Sequence, residues 1–203
     1  MSNKELIVIC GPMFSGKTSM LISQAAIYVK QGLQVAVIKP ELDDRYDKLD
    51  IVAHTGERMS DLKVPMATMN IDGHLYPQFQ GEFIKDHIDI FIVDEAQFFT
   101  KTGLNALKLL GLATTRGIVF AGLDLDVFGN PFGFMGQLLC EATTVTKLKG
   151  VCSVCGDDSS RTFRKDIDAN KEIVVVGGSE LYETRCYNHW IDGMNNYFQK
   201  TWL

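Results

Sequence analysis

No stretch of the chain approaches the ~20 successive apolar residues that a bilayer-spanning helix needs, so no such helix is expected. Basic residues are in the minority: 20 Lys and Arg stand against 25 Asp and Glu, for a net charge of −5 and an isoelectric point near 5.4. Proteins that track a phosphate backbone carry basic stripes, so the balance argues for a small-molecule substrate over nucleic acid. Cysteine is sparse and odd in number, at five. No charged-then-apolar leader opens the sequence, so a cytoplasmic location is expected. There a metal or buried thiols explain cysteines better than disulfides do. The four His residues are too scattered to decide anything alone, and there is no internal repeat or low-complexity tract. What is present, 46% hydrophobic and 22% charged over 203 residues, is enough for one full core with a small accessory module.

The first strong signal is Gly11, Pro12, Met13, Phe14, Ser15, Gly16, Lys17 and Thr18, a GxxxxGK[ST] string directly after the apolar run Leu6 to Cys10. A strand feeding a glycine-rich turn and then a helix N-terminus aims several backbone N–H groups and a dipole at one point, which suits a polyphosphate. A mere glycine turn explains Gly11 and Gly16 but gives no reason for Lys17 followed by Thr18. In the functional reading Lys17 reaches the β- and γ-phosphates of ATP and Thr18 holds Mg2+.

Apolar positions at helical spacing predict a helix from Gly16 to Gln31, stopped at Gly32, and a short buried strand follows from Gln34 to Lys39. Residues 41–60 are polar and irregular, the length of a lid or disordered loop. Ile88 to Val93 is a near-continuous apolar run, as in strands buried on both faces of a parallel sheet. Leu104 to Ala113 is predicted as a helix and Gly117 to Leu123 as a further buried strand. The alternation implies an open parallel α/β sheet with helices on both faces. Its ligands belong beyond the carboxyl ends of the strands, where the glycine loop, Asp94, Glu95 and Asp124 fall. After Leu148 the texture turns to short segments and paired cysteines with no long helical period. The expected division is therefore 1–147, 148–192 and a tail 193–203.

Asp94 closes an apolar strand where a nucleotide-binding sheet needs a carboxylate for magnesium. Glu95 comes next, and because successive strand residues point opposite ways, it can serve the acceptor, orienting an attacking hydroxyl and taking its proton. The bland alternative is that both acids are simply solvated at a strand end. Cys152 and Cys155 form CxxC, and Cys186 and His189 form CxxH. Three thiolates and an imidazole close a tetrahedral structural zinc site with no position for water. A redox pair at Cys152 and Cys155 would leave the second pair unexplained. Cys10 and Cys140 lie in apolar patterns and read as buried thiols. Between the pairs, Val174 to Val176 reads as a strand, and Gly177 and Gly178 as either a close backbone approach or a hairpin tip.

Taken in order, GPMFSGKT, VDEAQFF, the GLD…NPFG segment at 122–133, CxxC, VVGGSELY and CxxH resemble the thymidine kinases of the cytosolic, zinc-containing type, over residues 6–189. The resemblance implies a RecA-like phosphate-loop sheet with a zinc-bearing lasso, transfer of phosphate from ATP to thymidine in DNA-precursor salvage, a homotetramer, and feedback inhibition by dTTP. By position it implies that Gly11 to Thr18 is the phosphate loop, with Met13 beside the thymine ring. Asp94 would be the magnesium carboxylate, Glu95 the base acting on the 5′-hydroxyl, and Arg45 the arginine near the transferring phosphate. Phe98 would stack on the base, with Leu123 and Phe132 nearby. Thr162 and Tyr182 would line the nucleoside pocket, and main chain around Val176, Gly177 and Gly178 would hydrogen-bond thymine. One stretch departs from the pattern: Val127 stands where the family places an aromatic, and Phe128 follows one place later. Either Phe128 turns inward or Val127 leaves the pocket looser.

Two rival classes remain at this level. A zinc-ribbon ATPase acting on nucleic acid would release ADP only with single-stranded DNA, whereas a kinase would release it with thymidine. A zinc-stabilised nucleotide-binding module with no activity would release none.

Overall fold

The computed structural model describes residues 4–41, 50–53, 55–74, 87–166, 175 and 177–202. Six strands, β1 (Glu5–Cys10), β2 (Val35–Pro40), β3 (Met66–Met69), β4 (Ile90–Val93), β5 (Gly117–Gly122) and β6 (Thr144–Lys147), form one sheet in the order β3-β2-β4-β5-β1-β6. Every neighbouring pair in it runs parallel.

The apolar runs of β2, β4 and β5 follow from burial on both faces. Alternate residues of one strand enter different cores. In β5, Ile118 and Phe120 meet α2 (Lys101–Ala113) and α3 (Met135–Glu141) through Leu104, Leu107, Met135 and Leu138. Val119 and Ala121 point the other way, toward α1 (Lys17–Lys30) through Leu21, Ile22 and Ala25, with Met59 beside them. Thr100 starts α2 by accepting a hydrogen bond from the backbone N–H of Gly103, the usual service of a hydroxyl at a helix N-cap.

Beyond Leu148 two small antiparallel sheets follow, β7 (Gly150–Val151) with β8 (Asp158–Ser159) and β9 (Arg161–Arg164) with β10 (Tyr182–Arg185). The chain then enters α4 (Tyr187–Trp202). A third core lies here: Val127, Phe163, Tyr182, Trp190 and Met194, flanked by Met13, Phe14, Phe128, Leu181 and Ile191. The small module thus rests on the phosphate loop and on the segment after β5.

Several expectations are corrected. A long helix does follow Leu148: α4 continues through the segment read as a tail, and its apolar pair Trp190 and Met194 sits one turn apart. Strand β3, helix α3 and edge strand β6, whose residues alternate little and stay largely exposed, were not anticipated. Of the segment 41–60, the described residues from 50 onward are held by a bridge between Val52 and Arg58 and by a 3-10 turn, Met59–Leu62, that runs past its end. The carboxylate of Asp50 accepts from Arg58, from Ser60 Oγ and from the backbone N–H of Ser60. Cys140 is exposed on α3, not buried, whereas Cys10 is buried as expected. The strand read at Val174 to Val176 falls largely outside the described residues, and Val175 itself is irregular.

Candidate active site

The glycine loop leaves β1 at Gly11, whose φ of 146° places its Cα against the carbonyl of Leu148; a Cβ there would lie 2.5 Å from that oxygen. Leu148 in turn donates its N–H to Cys10 at 2.7 Å, so the chain leaving the sheet passes directly over the loop's first residue. Phe14 holds a left-handed conformation at φ 59°, and Gly16, also left-handed, caps α1. A non-glycine residue there costs about 1–3 kcal/mol and persists only where its surroundings demand it. Lys17 is buried, and its Nζ donates to the carbonyl of Pro12 at 2.7 Å, across the loop it belongs to.

Met13, Phe14, Gly16, Lys17, Thr18, Glu95 and Leu123 line one cavity of about 200 Å³, together with Ser19 and Thr55. An ammonium and a carboxylate therefore share one space with a helix N-terminus. Asp94 directly follows β4, is buried, donates its backbone N–H to the carbonyl of Ile38 at 3.1 Å, and accepts from the backbone N–H of Glu95 at 2.9 Å. Glu95 turns left-handed out of the strand, with φ 49°.

The neighbouring surface is aromatic. Phe98 and Phe132 meet edge to face, ring centroids 5.8 Å apart. The backbone N–H of Phe132 is held by the carbonyl of Asp124 at 3.0 Å, while Asp124 pairs with Lys147 at 2.8 Å. Asp126 ties the turn between them, accepting from the N–H of Phe128 and of Asn130, each at 2.9 Å. Val127 is buried in the third core, and Phe128 is half-buried and packs on its flank, as Met13 and Phe14 also do. Thr162, buried on β9, accepts a hydrogen bond from the backbone N–H of Met13 at 3.0 Å. Tyr182 donates its hydroxyl to the carbonyl of Val175 at 2.6 Å, and burial pushes its phenol above the usual range. Gly177 and Gly178 lie just before β10, where the carbonyl of Gly178 accepts from Tyr182 N at 2.9 Å. Arg45 and Val176 lie outside the described residues.

The side-chain donors of Cys152, Cys155, Cys186 and His189 all fall within 4.8 Å of one another. Cys155 and Cys186 sulfurs are 4.0 Å apart, and Cys152 Sγ is 3.6 Å from His189 Nδ1. A tetrahedral zinc with bonds of about 2.3 Å sets sulfurs about 3.8 Å apart, so both donor set and spacing fit that ion. Burial disfavours the Cys152 thiolate, yet the backbone N–H groups of Cys186, Cys155 and Val154 outweigh it and bring the thiol down to about 6, the form a metal takes. Around this cluster, Arg161 lies over the rings of Tyr187 and Trp190 at 5.2 and 5.7 Å, and Arg185 over Phe163 at 3.6 Å.

A family model for thymidine kinase matches residues 4–190. The chain belongs to the thymidine kinase family. It is similar to a thymidine kinase of Onion yellows phytoplasma (strain OY-M), with 35% identity over 187 residues, 90% of this chain and 84% of that protein. In this family member the match spans the sheet, the cavity and the cysteine module alike, and no described helix is long and apolar enough to cross a membrane.

Sequence reasoning passed over four residues that the thymidine kinase fold brings to the site. Thr55 and Ser19 join hydroxyls at 3.2 Å on the cavity wall, a meeting no local motif announces. Trp190 reaches back to the segment after β5. Gln97, buried in the turn after Glu95, bonds both that carboxylate and Leu123; its place inside VDEAQFF was the available signal.

Proposed function

We propose that this member of the thymidine kinase family moves the γ-phosphate of ATP to the 5′-hydroxyl of thymidine by in-line attack, with Glu95 orienting the hydroxyl and accepting its proton. The observation that carries the reading is that Lys17, Thr18 and Glu95 line one cavity with Met13, Phe14 and Gly16 of the glycine loop. Backbone N–H groups of Gly11, Pro12 excepted, through Thr18 and the Lys17 ammonium hold the phosphates. Thr18 and Asp94 would hold Mg2+, which when bound draws charge off the β- and γ-oxygens. Arg45 would offset charge on the γ-phosphate from the segment outside the described residues.

On the acceptor side, Phe98 and Phe132 offer ring faces and edges to the base, and Met13, Leu123, Phe128, Thr162 and Tyr182 complete the walls. Main chain at Val176, Gly177 and Gly178 would bond the thymine edge. Val127 is buried inside the third core and Phe128 is half-buried on its outside, which supports Phe128, not Val127, as the pocket aromatic. Cys152, Cys155, Cys186 and His189 would hold a structural zinc whose closed coordination supplies folding energy and no catalysis. The module 148–192 then acts as the lasso over the nucleoside. Cytoplasmic location, a homotetramer and inhibition by dTTP complete the proposal, the last because dTTP combines the base and the triphosphate that the two halves of the site recognise.

Glu95→Gln tests the base. Turnover is expected to fall by about 10²–10⁴ with thymidine binding retained; near-normal turnover would sink the assignment. ADP release on adding thymidine, and none on adding single-stranded DNA, separates this reading from a nucleic-acid ATPase.

A further inference from the structure

We propose that Gln97 is a positioning residue for the phosphoryl transfer: its amide fixes the Glu95 carboxylate and at the same time ties it to Leu123 on the cavity wall. The inference rests on Glu95 as the base.

Gln97 lies in the 3-10 turn Ala96–Phe98 and is only 3% exposed. An amide so deeply buried is expected to have both ends matched, and here both are. Its Oε1 accepts the backbone N–H of Leu123 at 3.1 Å. A backbone N–H can only donate, so that bond assigns the amide's orientation without ambiguity and leaves Nε2 on the opposite side. Nε2 donates to Oε2 of Glu95.

Two backbone features exist around this bridge. Gly122 stands at the end of β5, where a Cβ would fall 2.5 Å from Gln97 Oε1; a side chain at 122 would push the amide away. Glu95 adopts φ 49° and ψ 44°, with its own N–H turned onto Asp94 Oδ1 at 2.9 Å. That left-handed turn directs its side chain off the strand's regular alternation. A carboxylate on such a turn has several rotamers, and an N–H donor on one oxygen selects among them. With Oε2 engaged, the plane of the carboxylate is set, and so is the direction in which its other oxygen accepts.

The bridge also carries distance information. Leu123 and Glu95 line the same cavity, and Gln97 spans the two through its amide. The carboxylate and the loop 123–132 therefore hold a common spacing. A misplacement of about 1 Å between a base and its substrate is enough to cost about 10²-fold in rate.

The experiment is steady-state kinetics and thymidine calorimetry on the full chain. Gln97→Glu keeps an acceptor for Leu123 N–H but replaces the amide donor by a second carboxyl that must share a proton with Glu95, so at neutral pH kcat is expected to fall about 10²-fold while KM for thymidine stays within about threefold. Gln97→Met, apolar and of similar length, loses both arms, so kcat falls and KM rises. In a Glu95→Gln background the Gln97→Glu change is expected to cost little further kcat, because residues acting as a unit are not additive; a merely structural residue would cost the same in both backgrounds. If Glu95→Gln is inactive while both Gln97 variants keep kcat within about threefold, the positioning role is overturned and the base stands. If Glu95→Gln retains turnover, the base assignment fails and takes this inference with it. Should Gln97→Glu not fold, the Gln97→Met kcat decides alone.

Discussion

Trp190 donates its indole N–H to the backbone carbonyl of Val127 at 3.2 Å. Because Trp190 follows His189 directly at the start of α4, the Cys and His cluster and the aromatic segment after β5 are joined by one turn of helix and one hydrogen bond. Order at the cysteine module is thereby order in the segment after β5, the proposed wall of the acceptor site.

Trp190→Phe keeps an aromatic ring in the third core and removes that bond. The loss is expected to be about 1 kcal/mol of stability, read as a lower Tm, together with a several-fold higher KM for thymidine and an unchanged KM for ATP. An equal rise in both constants would mean that Trp190 supports the whole fold and not the acceptor wall.

Gly11→Ala meets two obstacles at once. The added methyl would sit 2.5 Å from the Leu148 carbonyl, and φ of 146° is a conformation that alanine rarely adopts. A loss of more than 3 kcal/mol on a denaturant titration is expected, of the order of the strain and overpacking costs combined. A variant of wild-type stability would show that Leu148 swings clear of the loop.

The cysteines differ in ways a thiol reagent reads directly. With zinc held, Cys140 is expected to react alone, since Cys10 is buried and the others lie in the metal cluster. A chelator should add Cys152, Cys155 and Cys186, and only denaturant should add Cys10. Burial, aided by Asp124, pushes the Cys10 thiol from 9.0 up to about 11. The folded chain thus keeps a proton that the unfolded chain releases, so this contribution to stability is complete below pH 9 and is lost as pH climbs toward 11. Compared with Cys10→Ala, the native chain is expected to lose more stability across that window. Rapid labelling of Cys10 in the folded, metal-loaded protein would contradict both statements.

Motifs whose chemistry is local were legible in the sequence. The string 11–18 runs from the end of a strand into the first turn of a helix, and β2, β4 and β5 announce themselves because residues buried on both faces leave no polar alternation. That the Cys and His pairs would meet was legible from their spacing, and their four donor atoms do lie within 4.8 Å of one another. What escaped notice depends on residues far apart in the chain. Edge strand β6 is largely exposed and reads as polar, and α4 was hidden behind the cysteine pattern that precedes it. Thr55 and Ser19 become neighbours only when the segment at 50–62 folds beside α1. Gln97 stood in plain view, but its partner Leu123 belongs to another strand end.

The bond between Met13 and Thr162 has a consequence for how the loop and the cysteine module stay together. It uses the backbone N–H of residue 13 and not its thioether, whereas the side chain of Met13 packs on the third core. A substitution at 13 therefore leaves the hydrogen bond in place and changes the packing alone. One residue joins the two parts twice, once by main chain and once by side chain.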